Sequence, residues 1–112
     1  MIFHIVDKDY WLSQVSSGEY LTSCLDSEGF IHCSDLHKVT HVANQIYKGV
    51  KNLILLCIDE DKVHAEVKWE DLYNLNYDYP HIYGVLNIEA VISIHEFEPN
   101  EKGCFSIPND LI

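Results

Sequence analysis

NLILLCID, residues 52–59, is a run of apolar side chains with no polar alternation. A strand that reads this way is covered on both faces, so the run predicts a central strand. Working back, Leu36, Val39, Val42, Ala43, Ile46, Tyr47 and Val50 recur at spacings of three and four. That period predicts an amphipathic helix over Asp35–Lys48, capped by Ser34 or Asp35 and stopped by Gly49. Before it, FIHCS (Phe30–Ser34) reads as a strand, and EYLTSCLDSEG shows no clear period. KDYWLSQV predicts a short helix capped by Asp7 and ended near Gly18. IFHIV (Ile2–Val6) is a β-branched and aromatic strand.

Beyond the central run, EDKVHAEVKWED reads as a turn and a half-exposed strand around Ala65–Glu70. LYNLNYDYP is a polar and aromatic loop. HIYGVL and EAVISIHEF read as strands, and a tail with Pro99, Gly103 and Pro108 lies across the surface. The order β-α-β-α-β followed by strands predicts a single α+β domain over residues 1–112. Its sheet is expected to be mixed and mostly antiparallel, with two helices in the N-terminal half.

The charge narrows the partners. Eighteen Asp and Glu stand against seven Lys, for a net charge of −11, and there is no arginine. Scattered lysines do not make a nucleic-acid coat, and an acidic membrane surface is disfavoured for the same reason. Without Arg, an anionic ligand must be held by Lys, backbone N–H groups, Ser, Thr or His. No apolar run approaches the ~20 residues of a membrane span. Cys24, Cys33, Cys57 and Cys104 form no C-x-x-C pair. With no secretory signal and a first strand opening at Ile2, a reduced cytoplasmic protein is expected. Nothing in the surface pattern singles out a protein partner.

Strand parity selects the chemistry. His4 shares a face with Ile2 and Val6, His32 with Phe30 and Ser34, and His81 with Tyr83. If those strands are neighbours, His4, His32, Ser34, His81 and Tyr83 converge on one patch, and a small-molecule pocket is expected there. His37 and His41 have the i, i+4 spacing of a metal pair. They fall opposite the apolar stripe and lack the glutamate of H-E-x-x-H, so they read as solvated and no metal site is expected. Cys33 and Cys57 lie in apolar runs, and Cys24 reads as a loop residue without a partner, so none is expected to be a nucleophile. Trp11 and Trp69 read as core or rim packing, with Trp69 beside Glu70 at the pocket border. The five glycines are too dispersed for a phosphate loop.

FHIV with Trp11, GFIHCS, ANQIY, LILLCID, VKWE and YPHIYG together resemble the small bacterial family called domain of unknown function 952. Ala90, Val91, Gly103, Phe105 and Pro108 continue the likeness over nearly the whole chain. The family usually carries glutamine where this chain has Lys38, at what reads as the pocket mouth. The family fold is similar to that of the ADP-ribosyltransferases. The order of first-strand histidine, short helix, glycine and FIHCS resembles their RNA 2′-phosphotransferase branch.

The resemblance implies that His4 contacts the NAD ribose, that His32 packs in the nicotinamide pocket, and that Ser34 follows it as a binding serine. The late-sheet glutamate of many transferases has no clean counterpart. Glu70 is the nearest carboxylate, and Tyr83 is a substitute on the last pocket strand. The expected catalytic set is therefore His4, His32, Tyr83 and Glu70, with Ser34, Lys38, His81 and Trp69 binding ligand. No tightly bound cofactor is expected, and NAD is the candidate substrate or ligand. Cleavage at ribose C1 builds oxocarbenium character in the sugar, which hydrogen bonds to its hydroxyls can help to stabilise. Two function classes follow. One is a transferase or glycohydrolase acting at that carbon. The other is a non-catalytic module that binds a nucleotide or small ligand. The absence of arginine argues against turnover of 2′-phosphorylated RNA.

Overall fold

The computed structural model describes residues 1–111, with Ser23 and Cys24 described by backbone alone. The elements are β1 (Ile2–Asp7), α1 (Lys8–Gln14), β2 (Glu19–Tyr20), α2 (Ser23–Glu28), β3 (Ile31–His32) and α3 (Val39–Ile46). They continue with β4 (Leu53–Ile58), β5 (Glu66–Glu70), β6 (Tyr79–Tyr83), β7 (Leu86–Asn87) and β8 (Val91–Phe97). The strands form a sheet β1-β4-β8, a second sheet β3-β6-β5, and the short pair β2-β7. Every pairing among the described strands is antiparallel, so the sheet is not mixed. The two larger sheets are joined edge to edge by one bridge. Phe3 and Ser34 exchange both backbone hydrogen bonds at 2.8 Å.

β4 is the central strand that its sequence predicts, and all six of its residues are buried. Its alternate residues feed two cores. Ile54, Leu56 and Ile58 pack with Ile2, Val6, Trp11, Tyr20, Ile31 and Ile82. Leu53, Leu55 and Cys57 pack with Phe3, Ile5, Val39, Ala43, Phe97 and Phe105. Each fully buried aliphatic side chain contributes roughly 1.5–3 kcal/mol. Trp11 is thus a core residue, 3% exposed.

Among the described residues three α-helices form, not two. α2 lies in the stretch that shows no apolar period, because six residues are too few to display one. Its signals are local. Thr22 caps the backbone N–H of Leu25, and Gly29 closes the helix at φ 86°. Cys24 therefore sits on a helix and not in a loop; its side chain lies outside the described residues. α3 is shorter than its periodicity suggests. Asp35 accepts the N–H of Lys38 and holds residues 36–38 as a turn before the helix starts at Val39.

The tail is fixed to the second core. Phe105 stacks on Phe97 with ring centroids 4.8 Å apart, and Asn44 of α3 bonds both backbone groups of Phe105. Asp110 bonds His95 Nδ1 at 2.6 Å, and His95 Nε2 meets Ser93 Oγ at 2.8 Å. Cys33, Cys57 and Cys104 are free thiols, and burial pushes that of Cys33 well above its ordinary pKa. No helix among the described residues is long and apolar enough to cross a membrane.

Candidate functional site

The single bridge between the two sheets leaves a cleft beside it, of about 630 Å³. That size suits a small-molecule site. Its floor is Phe3, His32, Ser34 and His81, from the bridge region, β3 and β6. One wall is the edge of α3, with Lys38, His41, Val42 and Gln45. The other is the loop over residues 71–78 and the start of β6, with Tyr73, Leu75, Tyr77 and Tyr79.

The loop wall is tied down. The Asp71 carboxylate accepts the N–H groups of Leu75 and Asn76 at 2.9 and 2.8 Å, and these bonds hold its pKa below the usual carboxylate range. Asn74 and Asn76 take up left-handed φ of 57° and 60°, which Asn tolerates better than most residues. Tyr77 donates to Asp35 Oδ2, which pushes the phenol pKa up to about 12. The ammonium of Lys38 lies over the Tyr77 ring, 4.6 Å from its centroid.

His4 reaches the border of the cleft, yet both of its ring nitrogens are used within the fold. Nδ1 bonds the carbonyl of His32 at 2.6 Å, and Nε2 meets the Tyr20 hydroxyl at 2.7 Å. A carbonyl only accepts, so Nδ1 carries the proton, and Nε2 of the neutral ring accepts from Tyr20. Burial lowers the His4 pKa from 6.5 to about 4, against the opposing effect of the bond to His32. His4 clasps the first strand to the third instead of presenting a nitrogen to a ligand.

His32 and His81 are the imidazoles of the cleft floor. They are direct cross-strand partners, with ring centroids 5.5 Å apart at 82°. Each is backed by a carboxylate. His32 Nε2 bonds Glu28 at 2.8 Å, and His81 Nδ1 bonds Glu70 at 2.9 Å. Tyr73 also donates to Glu28, at 3.1 Å. The bond from His32 is the main cause that holds the Glu28 pKa below the usual range. For Glu70 the main cause is the bond from Tyr83, followed by His81. Tyr83 in turn is pushed up to about 12 by that carboxylate.

Ser34, Lys38, His32 and His81 line the cleft. Glu70 and Tyr83 do not line it; Glu70 bonds His81 Nδ1, and Tyr83 donates to Glu70. Trp69 does not line it either. Adjacent strand residues face opposite sides, so Trp69 points away from Glu70 and bonds Glu60 at 2.9 Å. His41 departs from its expected place. It is exposed, but the edge of α3 that carries Lys38 and Gln45 brings it to the cleft wall. Glu28 and the tyrosine wall escape the sequence reading. The wall's signal is the density of tyrosine in LYNLNYDYP, which is unusual for a purely solvated loop; Glu28 carries none.

These features define a single-domain α+β protein with a histidine-floored cleft at the junction of two antiparallel sheets. The chain belongs to the family described as Protein of unknown function (DUF952), whose model matches residues 5–94. It is similar to the crystal structure of protein CC0527 from Caulobacter crescentus, with a TM-score of 0.87 at 22% identity, covering 98% of this chain and 96% of that one. The solution structure of the same protein gives a TM-score of 0.83 at 22% identity, covering 99% and 95%. At that identity the likeness speaks for the fold. None of the curated proteins matches the chain.

Proposed function

We propose that this chain binds a small nucleotide-type anion in the cleft, with NAD as the first candidate. One observation carries the reading. The chain has 18 acidic side chains, and among the described residues none lines the cleft, whereas the ammonium of Lys38 does. A strongly acidic chain thus keeps its carboxylates out of one concavity and leaves a cation there, which suits an anionic ligand. The tyrosine wall offers ring faces for a planar base, and Lys38 offers a charge for phosphate. The resemblance to the ADP-ribosyltransferase fold belongs to this reading, and the cleft between two three-stranded sheets supports it.

Between the two function classes, the disposition of Glu70 favours the binding module. A carboxylate that met a developing oxocarbenium ion would have to reach the cleft, and Glu70 is held by His81 and Tyr83 behind the wall. Calorimetric titration of NAD tests the proposal. Wild type is expected to bind at roughly micromolar to millimolar strength, about −8 to −4 kcal/mol. Lys38→Glu and His32→Ala are each expected to weaken binding by about tenfold or more. Wild type that fails to bind NAD at several millimolar, or a Lys38→Glu variant that binds equally well, overturns the assignment.

A further inference from the structure

We propose that His32 and His81 form a paired-acceptor floor that selects a ligand with two adjacent hydrogen-bond donors, the vicinal diol of a ribonucleotide over its 2′-deoxy counterpart. The inference rests on the cleft being a nucleotide site and names the feature of the nucleotide that it reads. Glu28 and Glu70, as carboxylates, only accept hydrogen bonds. His32 Nε2 and His81 Nδ1 therefore carry the ring protons, and in the neutral rings His32 Nδ1 and His81 Nε2 are lone pairs.

Both lone pairs lack a protein donor. Neither nitrogen takes a hydrogen bond from a described residue. His81 is 1% exposed, and no fully buried side-chain nitrogen or oxygen among the described residues is left unpartnered, so Nε2 shares in that remnant on the cleft floor. The same accounting opens Ser34 Oγ to the cleft. Two acceptors on cross-strand rings whose centroids are 5.5 Å apart repel an unprotonated phosphate or carboxylate oxygen and attract hydroxyl donors. The floor and the Lys38 wall thus sort the two ends of a ligand, hydroxyls to the imidazoles and the anion to the ammonium. A ligand that lacks one hydroxyl leaves one of the two acceptors desolvated without a donor.

The test is calorimetric titration with 5′-AMP, 2′-deoxy-5′-AMP and 3′-deoxy-5′-AMP at about pH 8, above the ordinary imidazole range. The wild-type protein is expected to bind AMP about tenfold more tightly than either deoxy nucleotide. His81→Phe keeps a flat ring of similar size and is expected to bring one of the two ratios to within about twofold, that for the hydroxyl its imidazole meets. His32→Phe is expected to collapse the other ratio, so a folding failure in one variant leaves the other. The ratio of two ligands on one variant is not moved by a general loss of packing. Equal affinities in wild type, or both ratios unchanged in a folded variant, overturn the paired acceptor and leave the nucleotide reading standing. Absence of binding by AMP and NAD alike overturns both.

Discussion

Acidification from pH 6.5 towards pH 4 is expected to remove about 3 kcal/mol of folding stability through His4 alone. The group's pKa is lowered in the folded state, from 6.5 to about 4, because burial penalises the imidazolium. Between those values the unfolded chain takes up the proton and the folded chain does not. The contribution is therefore fully present above 6.5 and is lost as the pH falls through the window. Glu28, Glu70 and Asp71 also have lowered pKa values, and their contributions fade in more acidic solution. The measurement is urea unfolding at a series of pH values on wild type and His4→Phe, which shares those carboxylates. The variant should be the less stable at neutral pH, since the His32 carbonyl loses its donor. Its stability should also fall less steeply over the same window. Parallel curves for the two proteins would show that His4 is not a buried neutral clasp.

Leu55→Ala is expected to cost about 2–5 kcal/mol, enough to unfold a large share of a domain this small. Leu55 lies in the middle of β4, is 0% exposed, and is in register with Ile5 on one side and His95 on the other. Its side chain packs into the core that α3 covers with Val39 and Ala43. The ladder on both sides pins the backbone, so the space vacated by the truncation cannot collapse. Ile94→Ala on β8 is the control, because Ile94 is 49% exposed. It should change stability by about 0.5 kcal/mol or less. Comparable urea midpoints for the two variants would contradict a doubly covered central strand.

What the sequence makes legible follows from the reach of each signal. Continuous apolar character identifies β4, and parity identifies the faces of β1, β3 and β6, because both are properties of a single segment. The pairing of His32 with His81 needs one further fact, the register of β3 on β6, which no local pattern encodes. His4 reads as a site residue because an imidazole among apolar neighbours demands partners. Its partners prove to be Tyr20 and the His32 backbone, both distant in the chain. β2 and β7 are two residues each and carry no period at all. The place of Trp69 is legible in the sequence, since a side chain next to Glu70 on a strand must face the other way.

The loop over residues 71–78 is cross-tied by Asp71 internally and by Tyr77 to Asp35. A wall built this way has lost its conformational freedom when the chain folds, not when a ligand arrives. For the proposed ligand, association then carries a smaller ordering penalty. Kinetically, entry into such a cleft needs no slow closing step, so ligand uptake should follow a single concentration-dependent phase.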